Sequence, residues 1–236
     1  MLSSLLNLLF PPQCLVCQQA VSDHGTLCAE CWGKMRFITD PFCAVCGLPF
    51  EFAIGEGALC GGCLRALPHF ARARSVFRYD EASRALVTRL KYADQQHLSA
   101  IYGKWLTSCG RELIAASDII VPVPLHYWRF IGRRFNQSAL LAYSMKKHCK
   151  LPVMPDAIKR TRATLPQPGL TRKQRRDNVR GAFKVPARSA AFLKNKRVLL
   201  IDDVMTTSAT IGECAKTLLK AGAMQVNVLT LARKAG

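Results

Sequence analysis

"VLLIDDVMTTSAT", residues 198–210, decides how this chain folds. Val198 to Ile201 form a continuous apolar run, the pattern of a strand covered on both faces. Such a strand belongs to a mostly parallel sheet, whose ligands gather at the carboxyl ends of its strands. Asp202 and Asp203 stand at that end, and the chain then turns through a cluster of hydroxyls toward a helix. Backbone N–H groups and the helix dipole at such a turn favour an anion, and Thr206, Thr207, Ser208 and Thr210 add donors around Ala209. A sugar phosphate reconciles the two acids with the anion cradle. Carboxylates accept from vicinal ribose hydroxyls while the cradle takes the 5′-phosphate. A helix simply capped by Thr210 explains the hydroxyls and leaves the paired acids without a reason.

Working outward, strand and helix signals alternate from about residue 71. "RSVFRY" (74–79) reads as a strand, "EASRALVTRLKY" (81–92) as an amphipathic helix, residues 97–116 as a second helix and "DIIVPVP" (118–124) as an apolar strand. A loop follows, then a helix from Asn136 to about His148. Residues 159–186 are polar, basic and Pro-containing, and read as a long loop between short strands. After the quoted stretch come a helix from about Ile211 to Ala221, stopped by Gly222, and the strand "QVNVLTLA". The class is α/β, a mostly parallel sheet flanked by helices.

The chain has 236 residues, half of them hydrophobic, enough for one medium domain and a small one. Its net charge of +19 is concentrated. Residues 1–125 hold 11 basic and 10 acidic residues, whereas 126–188 hold 16 basic residues against Asp156 and Asp177. That asymmetry suits a phosphate, pyrophosphate or nucleic-acid partner, with a solvated basic face as the alternative.

Eight of the eleven cysteines form four C-x2-C knuckles: Cys14/Cys17, Cys28/Cys31, Cys43/Cys46 and Cys60/Cys63. One knuckle places two thiolates to share a tetrahedral ion and a second completes the site, so eight ligands make two structural zinc sites. Sequential pairing gives two stacked ribbons and alternate pairing a cross-brace; the short loops favour the former. Iron–sulfur ligation and disulfides are the rival chemistries. Gly47, Gly61 and Gly62 flank knuckle cysteines where tight turns need backbone freedom. Closed four-thiolate sites leave no position for substrate, so their role is to fold a segment too short for its own core. The amino-terminal "MLSSLLNLLFPPQC" lacks the basic start and cleavage site of a signal peptide and reads as a short amphipathic helix. No apolar run is long enough to span a membrane, and the expected location is the cytoplasm.

The quoted stretch resembles the phosphoribosyl pyrophosphate (PRPP) motif of type I phosphoribosyltransferases. The resemblance implies that Asp202 and Asp203 hold the ribose hydroxyls and that Thr206, Thr207, Ser208, Ala209 and Thr210 wrap the 5′-phosphate. Ser208 stands where a glycine is usual. "VPVPLHYWRFIGRRFNQSALLA", "RTRATLPQPGLTRKQRRDNVRGAF" and the four knuckles together resemble the ComF/GntX family over essentially the whole chain, with Arg134 replacing a usual glycine. The domains expected are 1–70, an amphipathic helix and double zinc ribbon, and 71–236, a phosphoribosyltransferase-like sheet domain.

The resemblance implies a protein of competence and DNA utilisation that binds PRPP with Mg2+. Arg133 and Arg134 would contact the pyrophosphate, and a basic lid would carry Arg160, Gln167, Arg176 and Asn178. Single-stranded DNA is a further expected partner, because the basic residues are interleaved with Tyr127, Trp128, Phe130 and Phe135, which serve equally as core or hinge. Two alternatives stand beside it: an active phosphoribosyltransferase with an unknown acceptor, and a zinc-ribbon adaptor for uptake or helicase proteins whose second domain is passive.

Overall fold

The computed structural model describes residues 11–90, 99–125, 135–162, 169 and 171–234. The expected amino-terminal helix, Arg133, Arg134, Gln167 and the aromatics Tyr127, Trp128 and Phe130 lie outside them.

Four parallel strands make the central sheet: β1 (Arg72–Arg78), β2 (Ile119–Pro122), β5 (Arg197–Met205) and β6 (Gln225–Arg233), in the order β1-β6-β5-β2. The register sets Val198 opposite Ile119 on one side and Val226 on the other, so the apolar run of β5 is central. Both of its faces are covered, as continuous hydrophobicity demands. On one face lie α3 (Glu81–Arg89), α4 (Ser99–Cys109) and α6 (Gln137–Met145), burying Leu86, Tyr102, Leu106 and Leu141 against Leu199 and Ile201. On the other, α8 (Ala187–Leu193) and α9 (Ala209–Lys220) bury Leu193, Ile211, Cys214 and Leu218 against Val198 and Leu200. The helix expected over 97–116 is broken at Gly110 into α4 and α5 (Arg111–Ala115). A Cβ at Gly110 would sit 2.5 Å from Leu229 Cδ2, so the break lets the chain approach β6.

Two readings need correction. The basic stretch 159–186 has the short strands expected, β3 (Lys159–Arg160) and β4 (Phe183–Lys184), in a small antiparallel pair, but among the described residues a helix, α7 (Arg172–Val179), lies between them where loop was expected. Thr171 and Gln174 close a reciprocal capping box at the start of α7, which stabilises a helix with almost no apolar face. In addition, the strand does not end with the acids. β5 continues through Asp202 and Asp203 to Met205, pairing with β6 as far as Arg233.

The cysteine-rich segment carries α1 (Ala29–Lys34) and α2 (Gly61–Arg65), each opening directly after a knuckle cysteine. Gly61 and Gly62 therefore start a helix and make no left-handed turn. Gly47 does, at φ +64, and a Cβ there would meet the Ala73 carbonyl oxygen at 2.6 Å. That close approach lets the second ribbon press on β1, where Ala73 N–H donates to the Val45 carbonyl at 2.7 Å. Upstream, Ile38 N–H donates to Val76 and Arg78 N–H to Arg36, so residues 36–38 cover the free edge of β1. Trp32, Phe37, Phe77 and Trp105 join the first ribbon to the sheet through a chain of ring contacts.

Candidate functional site

The knuckles pair sequentially. Cys14, Cys17, Cys28 and Cys31 form one cluster and Cys43, Cys46, Cys60 and Cys63 the other, with all four sulfurs of each within 4.8 Å. Tetrahedral zinc with Zn–S bonds of about 2.3 Å spaces its sulfurs about 3.8 Å apart. Cys17 and Cys28 are separated by 3.7 Å and Cys46 and Cys60 by 3.5 Å, which fits. Backbone N–H groups support the thiolates: Cys28 N–H donates to Cys14 Sγ and Cys60 N–H to Cys43 Sγ, both at 3.3 Å. The sites differ in setting. The first has Cys17 exposed, while all four cysteines of the second are buried in the same core as Val121, Leu200 and Val228.

At the carboxyl end of β5 the two acids are held differently. Asp202 Oδ1 accepts from Ser138 Oγ at 2.9 Å and from the Asp203 N–H at 3.0 Å. Asp203 Oδ1 accepts from the Val204 N–H at 2.7 Å. Ser138 is set in place by Asn136, which caps α6 through the Ser138 N–H and donates Nδ2 to the Val123 carbonyl, tying α6 to the end of β2. Burial, and next the charge of Asp203, push the Asp202 carboxyl up to about 8, against the hydrogen bonds from Ser138 and the Asp203 N–H and the charge of Arg160. A cluster that raises a carboxyl this far is poised for a partner that supplies donors or positive charge.

The loop after β5 leads straight into α9. Its N-cap is Ser208, in the left-handed region at φ +59, with no side-chain cap hydrogen bond, so Thr210 is not the cap. The glycine usual here has a physical reason: a non-glycine residue in this conformation costs about 1–2 kcal/mol. Ser208→Gly should regain that cost, less about 0.5–1 kcal/mol of glycine's added freedom when unfolded. The expected net gain is about 0.5–1 kcal/mol, or about 1–4 °C in Tm. A fall in Tm on thermal unfolding would contradict the strain. Thr207 Oγ1 is buried and has no hydrogen-bond partner among the described residues.

Of the lid candidates, Arg160 lies on β3 with its guanidinium 5.6 Å from the Phe183 ring centroid. Arg176 and Asn178 are on α7, which the Asn178 and Arg180 carbonyls tie to Arg162. Sequence reasoning missed Ser138 and Arg233. Ser138 meets its partner 64 positions away, and no local pattern signals that contact.

The double zinc ribbon domain family matches residues 5–71. Competence protein F of Haemophilus influenzae is 30% identical over 212 residues, 88% of this chain and 90% of that protein. DNA utilization protein YhgH of Escherichia coli is 31% identical over 235 residues, 94% of this chain and 97% of that protein. Competence protein ComFC of Bacillus subtilis is 26% identical over 240 residues, covering 93% and 94%. Among solved structures, a glutamine PRPP amidotransferase from B. subtilis aligns at 19% identity and a TM-score of 0.39, over 58% of this chain and 26% of that one, too slight a likeness to add to the fold described above. Near end-to-end alignment at 30% identity or better, over a chain that begins with paired four-cysteine ribbons, places this protein in the ComF/GntX family.

Proposed function

We propose that this chain is a cytoplasmic DNA-utilisation protein whose sheet domain, residues 71–236, binds PRPP and is braced by the ribbon segment 1–70. The observation that supports it best is the junction of β5 and α9. Two carboxylates, one held by Ser138, stand within a few residues of a loop that opens a twelve-residue helix. Ribose hydroxyls donate to Asp202 and Asp203, and the 5′-phosphate takes the N–H groups and hydroxyls of residues 206–210. Mg2+ would enter with PRPP and offset part of its negative charge, as suits an ion that keeps most of its ligands outside the protein. Arg133 and Arg134 contact the pyrophosphate, with Arg160, Gln167, Arg176 and Asn178 closing over it.

The basic region 126–188 serves a nucleic-acid partner, with single-stranded DNA the expected form. Its affinity should then fall steeply with salt, because each phosphate contact releases counterions. Salt-independent DNA binding in a titration would remove DNA as a partner of this surface.

The raised Asp202 sets a pH dependence. The folded apo protein holds the proton between the ordinary carboxylate range and about 8, whereas hydroxyl donors require the ionised form. Binding therefore costs a deprotonation below about 8 and none above it. Between pH 7 and 9 the ionised fraction rises from about 0.1 to about 0.9, so PRPP affinity should rise about tenfold. Calorimetry across that range checks this, with Asp202→Asn expected to flatten the profile; a flat wild-type profile would contradict it.

PRPP with Mg2+ at about 100 times Kd should stabilise the protein by about 2.7 kcal/mol and raise Tm by about 5–10 °C. Absence of any shift would sink the reading. Pyrophosphate release on adding candidate acceptors then separates a phosphoribosyltransferase from a protein that only holds PRPP.

A further inference from the structure

Helix α6 carries the chain away from Asp202. Ser138, in its first turn, bonds that carboxylate, and Met145, its last residue, lies about 10 Å further along the axis. Beyond Met145 the chain turns through Lys146, Lys147, His148 and Lys150, all exposed, and the His148 and Cys149 N–H groups donate to the Met145 carbonyl. This turn meets α4 because Gly103 lets the helices touch: a Cβ there would lie 2.7 Å from Ser144 Oγ. An open cavity of about 410 Å³ results, lined by Lys104, Thr107 and Ser108 of α4, Arg111 of α5 and, from the turn, His148. No acid is among its described lining residues. Glu112, next to Arg111, lies 3.7 Å from Arg72 in an ion pair.

The dipole of α6 explains part of this charge, since cations at a helix C-terminus gain roughly 0.3–1 kcal/mol each. It covers Lys146 and Lys147 and leaves the others. Arg111 opens α5, the end at which a helix disfavours positive charge. Lys104 sits in the middle of α4, too far from either end for the dipole to act. Lys104, Arg111, Lys146, Lys147 and Lys150 make no ion pair among the described residues. Like charges drawn from three elements repel, and a row of negative charges would relieve them. The cations are exposed on both sides of an open trough, which fits a chain of phosphates rather than one enclosed anion. Tyr143, one turn before Lys146 and Lys147, is 48% exposed and offers a ring on which a base can stack.

We propose that single-stranded nucleic acid binds on this face, its phosphates following Lys104 and Arg111 on one side and Lys147 and Lys150 on the other, at the far end of α6 from Asp202. The proposal rests on the nucleic-acid reading of the basic region and fixes where that partner lies. Residues 146–150 join α4 and α5, which are outside that region, while the basic segment 159–186 is left to PRPP. Nucleic acid and PRPP then bind at the same time.

The test is fluorescence anisotropy of the full-length, zinc-loaded protein with a labelled oligothymidylate across a salt series. Two triple variants lose equal charge from exposed positions: Lys104→Gln, Lys147→Gln, Lys150→Gln on this face, and Lys159→Gln, Lys173→Gln, Lys184→Gln on the other segment. The first should lose at least tenfold in affinity. Its slope of log affinity against log salt should flatten by about 2, from three phosphate contacts at about 0.7 each. The second should stay within about threefold of wild type, and both should keep the wild-type Tm. Unchanged affinity in the first variant, an equal or greater loss in the second, or displacement of the oligonucleotide by PRPP overturns the proposal and leaves the nucleic-acid reading standing. No oligonucleotide binding by wild type overturns both. Binding of phosphatidylcholine–phosphatidylglycerol vesicles through this face in place of the oligonucleotide would make a membrane surface the partner, and would overturn the proposal as well.

Discussion

Cys63→Ser should abolish cooperative folding of the whole protein, whereas Cys17→Ser should leave the sheet folded. Each is the second cysteine of a knuckle and one of the four ligands of its site, so metal chemistry alone predicts equal effects. Their surroundings predict otherwise. Cys63 is 5% exposed within a core that includes Ile119, Val198, Leu200 and Val226 of the sheet. A structural zinc site contributes roughly 10–16 kcal/mol at neutral pH, as much as or more than the typical 5–15 kcal/mol stability of a domain. Losing that site removes the ribbon that presses on β1 and uncovers the part of the sheet's core that its cysteines share with Ala73 and Val228. Cys17 is exposed, and its ribbon reaches the sheet through Leu15, Met35 and Phe37 on the other face. Zinc content and urea unfolding of the two variants check this. Cys17→Ser should bind one zinc and keep a cooperative transition, with some loss of stability. A Cys63→Ser protein that unfolds at the wild-type midpoint would show that the second ribbon is an independent appendage.

Local patterns made much of this legible, and the misses share a cause. The knuckles declare their ligands because each pair is three residues apart, and the short loops between knuckles favoured the pairing that the structure has. The apolar run of β5 declared a strand buried on both faces for the same kind of reason: the signal is contiguous. The helix α7 was hidden because "RKQRRDNV" has no apolar stripe. Its stability comes from a capping box and from Val179, which is 1% exposed against α9 and its neighbours. The end of β5 was misplaced because two acids look like a strand terminus, while pairing with Thr230, Ala232 and Arg233 carries the strand past them. Ser138 beside Asp202 and Arg233 beside Cys46 are long-range contacts, the second across 187 positions, and no window of sequence contains both partners.

Asp202→Asn together with Asp203→Asn should separate stability from binding. In the unliganded protein the two acids repel, and burial of Asp202 adds to the cost, as its raised carboxyl records. Replacing both with the isosteric neutral amide removes that cost, and stability at pH 8.5 should rise by about 1–2 kcal/mol. Binding should move the other way. A hydrogen bond to an ionised acceptor is worth roughly 1.5–3 kcal/mol, so losing two charged acceptors should weaken PRPP by at least 100-fold. A merely structural pair would behave in the opposite sense, losing stability and leaving affinity alone. Such opposition between stability and function is expected where a site holds unfavourable charge for a ligand's use.

The most direct test of the account is the affinity of the full-length, zinc-loaded protein for PRPP with Mg2+ at pH 8.5, measured by calorimetry beside the Asp202→Asn, Asp203→Asn protein. The account predicts saturable one-to-one binding by wild type and a loss of at least 100-fold in the variant, with the variant's Tm at or above that of wild type. Absence of binding by the wild-type protein, or equal affinity in the two, would contradict it.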